Sequence, residues 1–304
     1  MRAGAAVALV ALSSTPAGAA EPLPVVEVAP GVLVHQGVHE DFTPENAGGI
    51  ANVGFVIGND AVAVIDSGGS ALEGERLLAA VRQRTSLPVA YVVNTHLHPD
   101  HVLGDVAFRD GGTRFVGSAK LPQHLAEAGP AYLGNMRRLL GPAFAGTELV
   151  LPDLVVADRL ELDLGGRKLD LRSWPAAHTD TDLTVTDEAT RTLFAGDLVF
   201  LERIPVVDGS LNGWIAVLDR LASLDAAQVI PGHGPPSAPW PQALDPERAY
   251  LTGLRNEVRE ELARNRTLAQ AVREVPVPAG QHWLLAEQNH PRNVTASFTE
   301  LEWE

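Results

Sequence analysis

Residues 95–101 read Thr95-His96-Leu97-His98-Pro99-Asp100-His101, so three histidines and an aspartate fall within six residues. The apolar run 88–93 leads straight into them and predicts a buried strand. If the chain stays extended at its start, His96 and His98 point to one side, because strand side chains alternate with period two. Pro99 then suits the first turn of a helix. That turn redirects Asp100 and His101 towards a neighbouring point. One short segment can thus serve two metal positions a few ångströms apart. A lone histidine is usually a core or surface residue; this density is not.

Three more candidates have similar settings further along the chain. His178 follows the strand-like run 167–174, Asp197 follows Leu193-Phe194-Ala195-Gly196, and His233 follows Val229-Ile230-Pro231-Gly232. Each lies beyond an apolar run, in what reads as a Gly/Pro-punctuated loop. Loops held at strand ends by a rigid sheet are where sites are usually built.

The flanking pattern supplies such sheets. Strands are expected at 25–28, 32–35, 88–93, 167–174, 183–186, 191–194 and 228–230, with a hairpin of 52–57 and 61–65 around Gly58-Asn59-Asp60. Ser70 can cap a helix whose Leu72, Leu77, Leu78 and Val81 recur at helical spacing. Further helices are expected at 120–127, 132–140 and 211–223, and one long helix in the tail at about 246–264. Two β-rich halves with helices outside predict an α/β fold with two packed sheets between helical layers.

H-x-H-x-D-H, then a histidine, then Gly-Asp, then Pro-Gly-His-Gly resembles the metallo-β-lactamase superfamily over about residues 25–240. The resemblance implies a four-layer αββα sandwich with a dinuclear metal site on one edge and, in this chain, a C-terminal helical extension at about 241–304. It implies that His96, His98 and His178 hold a first metal, that Asp100, His101 and His233 hold a second, and that Asp197 bridges the two. Asp66, in Val64-Ile65-Asp66-Ser67-Gly68, looks like the family's structural aspartate, with the role of orienting a ligand. Two zinc ions per chain are implied, and iron or manganese would also accept these nitrogen and oxygen donors. The implied chemistry is hydrolysis of an ester, lactone, thioester or amide by a metal-bridging hydroxide, with Asp100 as the catalytic residue that orients it. Sulfate and phosphate esters fit less well.

The best-known antibiotic-degrading members place a cysteine in the bridging region, and this chain has no cysteine. β-Lactam hydrolysis is therefore an alternative rather than the default. A softer resemblance, carried by His35-Gln36-Gly37, by 39–58 and by 290–304, is to exported zinc metallohydrolases associated with periplasmic quinoprotein dehydrogenase systems. It admits another class of function, a non-catalytic metal-binding accessory factor for such a dehydrogenase. Arg137 and Arg138 are candidates for contact with an anionic substrate, with a solvated helix face as the plainer reading. Trp283 and His290 read as tail packing.

The remaining features set limits. Arg2, the apolar run 3–12, the breakers 13–16 and Ala17-Gly18-Ala19-Ala20 have the layout of a secretory signal. This predicts removal of 1–20 and a periplasmic or secreted domain of 21–304. No later run reaches the length of a membrane span. A net charge of −15 argues against a nucleic-acid partner, because phosphate binding needs a basic face, but argues for no particular substrate; the small-molecule substrate expected here follows from the family resemblance.

Overall fold

The structure is a computed structural model that describes residues 20–304 except 110, 111 and 281. The expected export signal, save its last residue, lies outside the described residues. The first sheet begins with β1 (Val26–Ala29), β2 (Val32–His35), β3 (Val53–Ile57) and β4 (Val62–Ile65), paired antiparallel in sequence order. Helix α1 (Ala71–Arg84) crosses to β5 (Val89–Val93), which pairs parallel with β4. A single turn, α2 (Pro99–Val102), leads to β6 (Arg114–Ser118), and α3 (Leu121–Leu140) leads to β7 (Leu154–Val156), which completes seven strands.

The second sheet follows with β8 (Arg159–Asp163), β9 (Lys168–Ser173), β10 (Leu183–Asp187) and β11 (Thr192–Phe200). After α4 (Leu211–Leu221), β12 (Gln228–His233) pairs parallel with β11, and the short β13 (Ala238–Pro239) closes a six-stranded sheet. The tail forms α5 (Asp245–Ala263), α6 (Leu268–Glu274) and α7 (Ala286–Leu301). Among the described residues no helix is long and apolar enough to cross a membrane.

Alternation along the strands builds the layers. In β4, Val62 and Val64 pack with Leu77 and Val81 of α1, while Ala63 and Ile65 pack against Leu183, Val185 and Phe194 of the second sheet. All four residues are buried, which is why this strand reads as an unbroken apolar run. On the far side, Trp214 and Leu218 of α4 and Leu251 and Leu254 of α5 cover Leu193, Ala195 and Val229. The result is the expected helix–sheet–sheet–helix sandwich with a helical C-terminal region.

The structure corrects several expectations. Residues 120–127 and 132–140 are one helix, α3, which runs through Pro130. Pro130 and Ala126 both lie on the exposed side, where the carbonyl that the proline cannot serve is open to water. The tail has three helices rather than one. The buried stripe of α7 is His290, Asn293, Val294, Ser297, Phe298 and Leu301, and half of it is polar, so apolar periodicity does not reveal it. β6, β7 and β8 escape for a related reason, being short or rich in charge.

Helix α1 also holds a titrating group. Ser70 caps it by accepting from Glu73 N at 3.2 Å, and the Glu73 side chain turns inward, where its Oε2 has no hydrogen-bond partner among the described residues. Burial pushes the Glu73 carboxyl from 4.5 up to about 7, against the pull of Arg76. The unfolded chain releases this proton first, so stability present below about 4.5 is lost as pH rises to about 7. Glu73→Gln should therefore lose less stability than the parent between pH 5 and pH 8, by on the order of 2 kcal/mol. Denaturant melts at the two pH values measure this, and equal losses in both proteins would rule it out.

Candidate metal centre

β5 delivers Asn94 and Thr95 to the edge of the sandwich, and the turn into α2 fans out the four side chains that follow. His96 faces the cluster from the strand end, His98 from the position before α2, and Asp100 and His101 from within that turn. His178 comes from the loop between β9 and β10. Asp197 and His233 sit within β11 and at the end of β12 rather than in loops, which corrects the sequence reading. The ladder between these two strands breaks register on either side of Gly196, whose φ of +53° re-aims the strand and its Asp197. The close approach of β12 to Asp197 requires Gly232, since a Cβ there would run into Asp197 Oδ1. Gly232→Ala, whose Cβ would also press on the backbone of Gly196 and Asp197, should lower bound metal at limiting concentration by about tenfold or more, in the range typical of disturbed outer contacts. Unchanged metal content would rule this out.

The structure brings all seven candidates together in two adjoining groups. His96, His98, His178 and Asp197 form one, and Asp100, His101 and His233 form the other; within each group the donor atoms lie within 4.8 Å of one another. Asp197 reaches both, with Oδ2 3.4 Å from His178 Nε2 and from His233 Nε2, and Oδ1 3.2 Å from His101 Nε2.

Each imidazole turns one nitrogen inward and has the other tied down. His178 Nδ1 donates to the Val206 carbonyl at 2.7 Å, and His233 Nδ1 to the Ile50 carbonyl at 2.8 Å. His98 Nε2 donates to Asp208 at 2.9 Å. Asp66 serves two rings: it accepts from His101 Nδ1 at 2.8 Å, and from Thr95 Oγ1, which in turn accepts from His96 Nδ1 at 3.0 Å. These bonds place the ring protons on the outer nitrogens. His96 Nε2 and His178 Nε2 then aim bare lone pairs at His98 Nδ1, 3.1 and 3.0 Å away. Three such lone pairs repel unless a cation lies between them, and the donors of a tetrahedral zinc sit roughly 3.3 Å apart. Among the described residues His101 Nε2 and Asp197 Oδ1, although 3.2 Å apart, are buried and make no well-formed hydrogen bond. The donor set therefore fits a divalent metal site.

Protonation follows the same logic. Burial, with His101 adding to it, holds His96 well below the usual imidazole range, and burial brings His178 down to about 3. Burial raises the Asp197 carboxyl, but His233, His101 and His96 outweigh it and hold the group ionised; His101 and His233 do the same for Asp100. Burial lowers His101, yet Asp197, Asp66 and Asp100 together lift it well above its ordinary value. The proton on His101 thus sits where a cation would displace it.

The sequence reading missed the segment that fixes two of the rings. Residues 205–208 carry the Val206 carbonyl and the Asp208 carboxylate, and α7 straps them in place. Asn293 Nδ2 donates to the Pro205 carbonyl at 2.6 Å, and its Oδ1 accepts from Val207 N at 3.0 Å, so one buried amide brackets Val206. Arg292 Nη2 donates to Asp208 Oδ1 at 2.9 Å. The stretch 290–294, recognisable in sequence only as a string, acquires here a physical role. His290 is not at the site: it bonds Tyr250 OH and the Val275 carbonyl, and Trp283 packs edge-on to Tyr250. Arg137 lies over the Phe144 ring, whereas Arg138 lines the cavity above the metal groups. That cavity has a volume of about 420 Å³.

Comparison with known proteins agrees with this architecture. The family model described as the metallo-beta-lactamase superfamily matches residues 46–233, and the chain belongs to that superfamily. Among its relatives, a linear primary-alkylsulfatase from a Pseudomonas species is 24% identical over 214 residues, which are 58% of this chain and 40% of that protein. A beta-lactamase-like protein 2 homolog from Caenorhabditis elegans is 28% identical over 158 residues, 52% of this chain and 46% of that protein. Each match thus spans less than half of the relative's length. Among solved structures, a metallo-beta-lactamase from Pontibacter korlensis superposes with a TM-score of 0.62 at 22% identity, covering 76% of this chain and 99% of that one. A stereoselective inverting sec-alkylsulfatase from a Pseudomonas species superposes at 0.71 and 16% identity, covering 91% of this chain and 50% of that one. At these identities the likeness is one of fold.

Proposed function

We propose that the protein is an exported, metal-dependent hydrolase with two zinc ions held by His96, His98 and His178 and by Asp100, His101 and His233, with Asp197 shared. The carrying observation is the convergence of bare imidazole lone pairs and ionised carboxylates in two adjoining groups beneath an open cavity. A divalent ion bound there supplies Lewis acidity and a water acidified towards neutral pH. The chain's own residues do the rest. Asp100, held ionised, accepts a hydrogen bond from the attacking water and orients it towards the substrate. Asp66 and Asp208 fix the imidazoles, so little reorganisation accompanies reaction. Phe200, stacked on His233 at 5.0 Å between ring centroids, keeps bulk water from that side.

Esters, lactones, thioesters and amides suit this arrangement. A sulfate ester is the second reading, favoured by the match to an alkylsulfatase over 214 residues. The test is metal analysis of protein from the exported fraction, followed by a panel of ester, lactone, thioester, cephalosporin and alkyl sulfate substrates. Turnover above free zinc, abolished by chelation, is expected for one class. Silence across the panel, with a quinoprotein dehydrogenase co-purifying, would replace this reading with the accessory one. A mature chain that keeps residues 1–20 would overturn export.

A further inference from the structure

We infer that Arg203 is an oxyanion subsite beside the metal centre, so that the molecule taken into the cavity carries a negatively charged group such as a carboxylate or a sulfate. The inference deepens the hydrolase reading by naming a feature of its substrate. Arg203 is 8% exposed and lines the cavity together with Asp100, Asp197 and His233. Its Nε is buried and, among the described residues, has no hydrogen-bond partner. Nη1 lies 3.3 Å from His233 Nδ1, but that nitrogen spends its proton on the Ile50 carbonyl 2.8 Å away and offers nothing to accept with. Among the described residues no carboxylate pairs with this guanidinium. Arg292, by contrast, is 56% exposed in its side chain and already paired with Asp208.

A guanidinium cannot shed its proton to escape burial. Left unpaired, it destabilises the fold. Asp100 and Asp197 do not relieve it, because both are turned towards the imidazoles. The complement that fits is an oxyanion from outside, which the planar fork of arginine can hold by two parallel hydrogen bonds. The lining also includes the apolar Phe42, Met136 and Leu139, with Tyr132, Asn135 and Arg138 of α3 among them. The cavity therefore matches a molecule with an anionic group at Arg203 and an apolar portion in contact with Phe42, Met136 and Leu139.

The test uses the metal-loaded protein and calorimetric titration with hexanoate, hexane-1-sulfonate and neutral hexanamide. At least one anion should bind about 30-fold or more tightly than the amide, the scale of a buried charge pair that is complete rather than broken. Arg203→Met should lose that preference with metal content unchanged. It should also melt above the parent in anion-free buffer, which a merely structural arginine would not do. Arg203→Lys, which keeps the charge without the fork, should bind the anions more weakly than the parent and serves if the methionine variant does not fold. Anion binding that is unchanged in both variants, or an amide bound as well as the anions, would overturn the proposal. Arg203-dependent anion binding without turnover of any substrate would refute the hydrolase reading alone. Turnover with anion binding independent of Arg203 would do the reverse.

Discussion

Asp197→Asn is expected to deplete metal from both groups at once and to lower turnover by about a thousandfold or more. The substitution hardly changes shape, so its effect isolates one negative charge. That charge lies within 3.7 Å of four inward imidazole nitrogens, those of His96, His101, His178 and His233. Removing it takes from both groups the anion that offsets a divalent ion. The loss should exceed the 10–100-fold typical of partners one shell further out. Asp100→Asn makes the contrast, because among the described residues the Asp100 carboxylate pairs with His101 and His233 and with no histidine of the first group. It should empty the second group while the first keeps its metal. Metal per chain and turnover of the best substrate of the panel measure both. An Asp197→Asn protein with a full complement of metal would refute the shared role.

The second large effect is expected far from the metal in sequence. Asn293→Ala removes the buried amide that brackets Val206 and leaves the Pro205 carbonyl and the Val207 N–H without partners. Each buried group stranded in this way costs about 1–3 kcal/mol, so a loss of roughly 3–4 kcal/mol is expected. At about 2–4 °C per kcal/mol, the melting temperature should fall by roughly 10 °C. The Val206 carbonyl is the anchor of His178 Nδ1, so metal affinity should fall about 10–100-fold as well. Thr295→Ala, on the exposed face of the same helix, should change stability by no more than about 0.5 kcal/mol. Equal metal affinity in the two variants would separate α7 from the site.

The sandwich was legible because central strands such as β3, β4 and β11 are buried on both faces. β3, β4 and β5 appear as β-branched runs bounded by Gly, Asp and Pro, and the hairpin pairs Gly54 with Ile65 and Ile57 with Val62 around Gly58-Asn59-Asp60. The seven donors were legible because histidine at period two before a helix-starting proline is rare without a metal. Asp208, Asn293 and Arg203 were not, and the reasons differ. Asp208 lies in a Val206-Val207-Asp208-Gly209 turn with no ligand spacing. Asn293 belongs to a buried stripe that is half polar, whose partners are 86 and 88 positions away. Arg203 declares itself by the lack of a partner, which no linear pattern records.

The strap from α7 also bears on the order of events during folding. Bracketing Val206 requires a contact between Asn293 and Pro205, 88 positions apart. Closing a loop of that span costs entropy that the docked contacts of α7 must offset, so a late docking of α7 is the expected order. Until then the ring of His178 can turn, and His98, anchored through Asp208, is loosely held. A partly folded chain therefore offers passing ions only weak and scattered donors. Tight binding of a metal is then expected only after α7 has docked, and the ion bound would be one present where folding finishes.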